Sequence, residues 1–200
     1  MRIIAGSARG RTIEAPKGRD TRPTLDRVRE AMFGMIQFDV EEASVLDLFA
    51  GSGALGLEAL SRGADHAVFC DIGRAACAVV ERNLSSLGFS ENADVYCSDC
   101  FSLIQRLSSL GKRFSLILID PPYRSGLYEK VLDSLAAFGI AADGCIVILE
   151  HPKKMVLEGY DPRFTHGKPH SYGDTAVTKL VYHESAVNDG DETTNSSFGG

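Results

Sequence analysis

From Ser44 to Glu150 the chain alternates short β-rich apolar runs with longer stretches of helical period, the pattern of a parallel sheet covered by helices. Strands are expected near residues 45–50 (VLDLFA), 67–71 (AVFCD), 93–97 (ADVYC), 114–120 (FSLILID) and 144–150 (GCIVILE). Helices are expected over about 54–62, 74–87, 100–109 and 127–138, with Gly63, Gly88, Gly111 and Gly139 where C-caps or the following turns belong. An α/β layout of this kind binds ligands outside the carboxyl ends of its strands, where the winding direction reverses.

The flanks read differently. After Glu150 the alternation stops, and residues 163–183 read as two strands joined around SYGDT. Ahead of the sheet, RIIAGSARGRTIEA reads as a β-hairpin with a small-residue turn, followed by TLDRVREAMFGMI as an amphipathic helix. Two hundred residues at 44% hydrophobic composition suit one globular domain with a small appendage. The expected division is 1–40 for the hairpin and helix, 41–183 for the α/β body and 184–200 for a tail. That tail is polar and small-residued, carries four acids and no base, and is expected to be disordered. No apolar run reaches the ~18 residues that span a bilayer, and MRIIAGSARGRT lacks a signal-peptide core. A cytoplasmic protein with no membrane partner is expected, and nothing suggests an obligate interface, so a monomer is expected. Five scattered cysteines suit a reducing compartment; Cys97 and Cys100 have C-x-x-C spacing but no second half-site, so no metal is expected.

LDLFAGSGALG places Gly51, Gly53 and Gly56 in G-x-G-x-x-G spacing directly after the first strand. Such a loop lets a ligand approach the backbone closely. Asp71 lies 20 residues after Gly51 at the end of the second strand, where an acid accepts hydrogen bonds from ribose hydroxyls. Nicotinamide dinucleotides and S-adenosylmethionine both carry that ribose, so loop and acid leave both open. Asp47 points to the second: an acid at the first strand's exit suits a cationic amino acid moiety and would repel a pyrophosphate. Asp99 is placed to reach an adenine amine or to cap the helix beginning at Cys100.

The fourth strand ends in Asp120-Pro121-Pro122-Tyr123. Proline fixes φ and has no N–H, so this corner presents acceptors only. If the first and fourth strands are neighbours, it faces the glycine loop. Acceptors suit an exocyclic amine on a nucleobase, held by Asp120 and the Pro121 carbonyl while Tyr123 stacks on the base. Adenine and guanine amines satisfy this chemistry equally.

DLFAGSGALGLEALSRGA with DPPY resembles the Rossmann-like S-adenosylmethionine-dependent amino-methyltransferases. MRIIAGSARGRTIEAP, TRPTLDRVREAMF and YGDTAVT resemble the RsmD family more specifically, over residues 1 to about 183. The resemblance implies a class I methyltransferase fold: a seven-stranded, mostly parallel sheet with an antiparallel last strand, preceded by a β-hairpin and helix. It implies methyl transfer from S-adenosylmethionine to the N2 amine of a guanine in 16S rRNA, within the small ribosomal subunit or an assembly intermediate. Cofactor contacts are implied at Asp47, Gly51, Gly53, Asp71 and Asp99, with Phe49 and Ser52 in the same segment. Catalysis is implied at Asp120, Pro121, Pro122 and Tyr123. Asp71 departs mildly, since similar proteins often carry Glu there.

Residues 1–30 hold eight Arg or Lys against four acids, within a chain of net charge −6. Arg2, Arg9, Arg11, Arg22, Arg27 and Arg29 are candidate phosphate contacts, with Arg124 beside the corner and Gly6 and Gly10 letting the turn lie close to RNA. Tyr172, Asp174, Lys153 and Lys154 are candidates to shape the substrate pocket, and a polar turn between strands explains them equally well. Other readings kept open are an amino-methyltransferase of another RNA or DNA base, an NAD-dependent oxidoreductase, and a noncatalytic RNA-binding factor.

Overall fold

The structure, a computed structural model, describes residues 1–15, 23–122 and 127–185. Its sheet is built from β1 (Ser44–Asp47), β2 (His66–Asp71), β3 (Ala93–Cys97), β4 (Phe114–Ile119), β5 (Ala141–Pro152), β6 (Phe164–His166), β7 (His170–Tyr172) and β8 (Thr175–Tyr182). The strand order is β3-β2-β1-β4-β5-β8-β6, with β7 pairing β8 beside this path. β1, β2, β3, β4 and β5 run parallel, and β8 is antiparallel to β5, β6 and β7. The chain winds outward from β1 to β3 and then from β4 to β5, so the order reverses between β1 and β4. This is the Rossmann-like class I arrangement.

The helices are α1 (Pro23–Met35), α2 (Ala54–Ser61), α3 (Arg74–Leu87), α4 (Cys100–Ser109) and α5 (Leu127–Ala137). Leu46, Ile117, Ile119, Val147 and Leu149 pack under α4 and α5. Val45, Leu116, Leu118, Ile146 and Ile148 pack on the opposite face, under α1, α2 and α3. β1 and β4 are buried on both faces, which is why they read as continuous apolar runs. Each large aliphatic side chain removed from water here contributes about 1.5–3 kcal/mol.

Three sequence expectations need correction. The N-terminal hairpin is not a strand pair: one bridge, Arg2 to Thr12, joins its arms. Backbone bonds Ile3 N to Arg11 O (3.0 Å) and Ile13 N to Met1 O (3.0 Å) complete a ribbon too short for a ladder. Secondly, the last sheet segment carries three strands where two were expected, giving eight among the described residues. The arm before SYGDT is interrupted by Gly167-Lys168-Pro169, and proline cannot donate to a ladder, so β6 and β7 pair with β8 separately. Thirdly, the tail does not begin at 184: Glu184 pairs with Arg113, and its amide donates to Asp143 Oδ1 at 3.0 Å. The remaining tail, 186–200, lies outside the described residues.

Residues 1–13 are part of the core. Ile3, Ala8 and Ile13 are buried with Val28, Met32 and Phe33 of α1 and Leu57 and Leu60 of α2. Glu58 of α2, fully buried, holds this segment in place. Its carboxylate accepts from Ile4 N (2.8 Å), Ala5 N (3.0 Å) and Arg62 Nε (2.8 Å), with Arg29 Nε at 3.8 Å. At Gly6 (φ +81°) an added Cβ would sit 1.7 Å from the Ser61 carbonyl oxygen. Only glycine allows the turn to approach α2 this closely.

Candidate active site

The site begins at the reversal. β1 ends at Asp47, and the backbone then turns through Gly51 (φ +56°) and Gly53 (φ +80°) into α2. Gly53 is the N-cap of that helix. At Gly56 an added Cβ would meet the Phe69 ring at 2.3 Å, so this glycine serves helix-on-strand packing.

Asp47 is fully buried, and its Oδ2 accepts from Gly56 N at 3.1 Å. Among the described residues, its buried Oδ1 has no hydrogen-bond partner. Burial, followed by the nearby charges of Asp120 and Asp71, pushes the Asp47 carboxyl up to about 7, against the amides of Gly56 and Phe49, which favour the charged form. An orphaned carboxylate oxygen in a dry site fits a cationic or donor-rich ligand group.

Asp71, at the carboxyl end of β2, accepts from Gly51 N at 2.9 Å through Oδ2 and from Gly73 N at 2.8 Å through Oδ1. It therefore fixes the glycine loop and the next turn, and each oxygen keeps a lone pair for a hydroxyl donor. Ile72, beside it, is 77% exposed. A large apolar side chain held open there offers a face to a planar ring; this residue was missed in the sequence, where it reads only as the end of an apolar run.

Asp99 is the N-cap of α4, accepting from Ser102 N at 3.0 Å. Hydrogen bonding from the Ser102 side chain first, and then from its amide, holds the Asp99 carboxyl below the usual range. Its loop lies beside Asp71, since Ser98 N donates to Asp71 O at 3.1 Å. Phe49 is half-buried between the loop and the α4/α5 face, and Ser52 is buried.

β1 pairs with β4 in parallel, so Asp120 follows β4 across the crevice from the glycine loop. Pro121 is buried and Pro122 exposed. Tyr123 and Arg124 lie outside the described residues, as does Arg22. The structure thus brings Asp47, Gly51, Ser52, Gly53, Asp71 and Asp120 together, with Asp99 on the adjoining loop.

A second acid at this edge was not anticipated. Glu150 of β5 is 7% exposed. Burial first, then the charge of Asp120, pushes its carboxyl up to about 8. His151, the next residue, turns to the opposite face, where its ring shares hydrogen bonds with Thr178 Oγ1 (2.9 Å) and Pro152 O (3.0 Å).

The arginines divide. Arg2, Arg9 and Arg27 are exposed. Arg11, also exposed, donates to Leu87 O at 3.3 Å and to Ser86 O, neutralising the C-terminal carbonyls of α3. Arg29 is not a surface cation: it is 4% exposed, donates to Arg2 O and Asp26 Oδ1, and sits beside Glu58. Gly6 faces Ser61 rather than an open surface, whereas a Cβ at Gly10 would meet nothing. The N-terminal segment reaches the glycine loop through Asn83 of α3, which was also missed. Asn83 Oδ1 accepts from Glu14 N (2.8 Å), and its Nδ2 donates to Glu14 O (3.0 Å) and Ser52 O (2.9 Å). Tyr172 and Asp174 flank the β7–β8 turn, and Lys153 N donates to Asp174 O at 2.9 Å.

A family model described as Conserved hypothetical protein 95 matches residues 1–181. Ribosomal RNA small subunit methyltransferase D of Escherichia coli strain K12 is 40% identical over 150 residues, covering 75% of this chain and 74% of that protein. YlbH of Bacillus subtilis strain 168 is 34% identical over 179 residues, covering 90% of this chain and 91% of that protein. The solved structure of yhhF from Escherichia coli superposes with a TM-score of 0.82 at 31% identity, covering 92% of this chain and 99% of that one. Among the described residues, no helix is long and apolar enough to cross a membrane.

Proposed function

The chain belongs to the RsmD family, and from that premise we propose that it transfers the methyl group of S-adenosylmethionine to the exocyclic N2 amine of a guanine in 16S rRNA. The observation that carries this reading is the buried, partnerless Asp47 Oδ1 beside the glycine loop, facing the Asp120 corner. A pyrophosphate would meet that acid as a like charge, which disfavours a nicotinamide dinucleotide.

When bound, S-adenosylmethionine supplies an electrophilic methyl on a sulfonium. Asp47 would receive its amino acid moiety, Asp71 the ribose hydroxyls, Ile72 the flat adenine face and Asp99 the adenine edge. Asp120 and the Pro121 carbonyl would accept the two N–H bonds of the guanine amine and aim its nitrogen at the methyl, with Tyr123 stacked on the base. The N–C bond forms as the S–C bond breaks with its electron pair passing to sulfur. The nitrogen then releases a proton. Positioning and exclusion of water supply most of the effect, so Asp120 need not be a strong base.

Arg2, Arg9, Arg27 and, beyond the described residues, Arg22 and Arg124 would contact phosphates of the small subunit or an assembly intermediate. We take the enzyme to act as a cytoplasmic monomer, with residues 1–40 as its RNA-facing part and 41–183 as its catalytic part.

The test is transfer from labelled S-adenosylmethionine to undermethylated small subunits and to protein-free 16S RNA, with nucleoside mass spectrometry of the product. N2-methylguanosine, lost in Asp120→Ala while cofactor affinity persists, is expected. A different methylated base, or normal turnover in Asp120→Ala, would overturn the reading.

A further inference from the structure

Asp47, Asp120 and Glu150 stand at the carboxyl ends of three adjacent parallel strands. Asp47 is paired with Leu118, and Leu118 with Ile148. Asp120 and Glu150 each follow two residues later, so the pleat sends all three side chains to one face of the sheet. Leu118, Ile148 and Val177, the β8 partner of Glu150, lie in the core cluster of that face. Glu150 is nearly dry and feels the charge of Asp120; Asp47 is fully dry, feels the same charge and keeps one oxygen without a partner.

Resting on the reading above, we infer that Glu150 is a positioning residue for methyl transfer, a neutral acid whose O–H holds the Asp120 carboxylate with one oxygen turned to the substrate amine. Two carboxyls side by side in a dry site do not both ionise, and the more buried one keeps the proton. Its ionisation pushed up to about 8 agrees. Among the described residues, the charged groups that face Glu150 do not supply it with a counter-ion. On β8 the same-face Lys179 is held by Asp39 at 3.2 Å. On α1, Arg29 is engaged by Asp26 and Glu58. From β1 comes Asp47, another acid. Neutrality of Glu150 is therefore the available solution, and it leaves a donor beside Asp120.

In the step itself, Glu150 donates to one Asp120 oxygen while the other accepts an amine N–H. After the N–C bond has formed and the S–C bond has broken, the amine proton passes to Asp120. The pair then holds two protons and releases one to water before the next turnover.

The sign follows from the raised ionisation. Glu150 is neutral below about 8 and charged above it, so the transfer rate should fall as pH rises through that value. Two measurements test this. Carboxyl carbon NMR of the glutamate-labelled protein, without RNA, should show Glu150 titrating well above 4.5, the ordinary glutamate value, and Asp120→Asn should lower that midpoint. In single-turnover transfer, Glu150→Gln should lower the rate modestly, about threefold, and abolish the alkaline decline, whereas Glu150→Ala should cost about tenfold to a hundredfold with cofactor affinity retained. A Glu150 midpoint at its ordinary value, or one unmoved in Asp120→Asn, would overturn the proposal, as would a Gln variant that keeps the alkaline decline. The titration needs no RNA, so a wild-type enzyme that fails to methylate 16S RNA refutes the guanine reading alone.

Discussion

Asn83 donates from Nδ2 to the carbonyl of Ser52 at 2.9 Å, and the same side chain exchanges hydrogen bonds in both directions with the backbone of Glu14. One amide on α3 thus joins the N-terminal segment to the glycine loop.

Asn83→Ala leaves the buried Ser52 carbonyl and the Glu14 backbone without their partner. We expect a loss of about 2–3 kcal/mol in urea unfolding, since each orphaned buried group costs about 1–3 kcal/mol. Calorimetric titration should also show weaker S-adenosylmethionine binding. An unchanged unfolding midpoint would mean that the three bonds are replaced by water.

Glu58→Ala removes the carboxylate that compensates a buried Arg29 and two backbone amides. Breaking a buried pair costs about 3–5 kcal/mol. The melting temperature should fall by about 6–20 °C for a chain of this size. Arg62, half-exposed on the same carboxylate, can rotate into water, so Arg62→Ala should cost far less. Equal losses in the two variants would contradict this division.

Asp47 carries a pH dependence of opposite sign for folding and for binding. Its folded-state ionisation is raised from 3.8 to about 7, so the native protein holds a proton that the unfolded chain has already lost. That contribution is complete below about 4 and disappears as pH rises to 7. Glu150 acts likewise between 4.5 and about 8. The apo protein should lose stability across this window, and Asp47→Asn should flatten its part of the slope. A cationic ligand selects the ionised form, so S-adenosylmethionine affinity should rise between pH 6 and 7.5. Thermal melts and titrations at four pH values would show whether the two trends oppose.

The strand-loop-helix alternation was legible because its periods are local. The helices expected over 74–87 and 100–109 are α3 and α4. That Asp120 stands opposite the glycine loop was expected only if the first and fourth strands were neighbours, and β1 and β4 do pair. What escaped depends on long-range partners. β5 runs from Ala141 to Pro152, beyond the expected 144–150, because an irregular register with β4 extends its start and pairing with β8 extends its end. Arg29 read as one more base in a basic segment, since Glu58, 29 residues away, was not known to face it. Glu58 and Asn83 did leave a trace: each is a polar residue on an otherwise apolar helix face, the position where a buried partner is required. Glu150 left one too, as a fourth acid at a strand's carboxyl end after Asp47, Asp71 and Asp120.

Because Ile3, Ala8 and Ile13 are buried in the same core as α1 and α2, the N-terminal segment is a fixed relief rather than an arm. A polyanion that lands on it meets a surface whose conformational entropy was surrendered when the protein folded. Encounter should then be a single docking event, with association slowed by salt but without the kinetic lag of a segment that folds on its target.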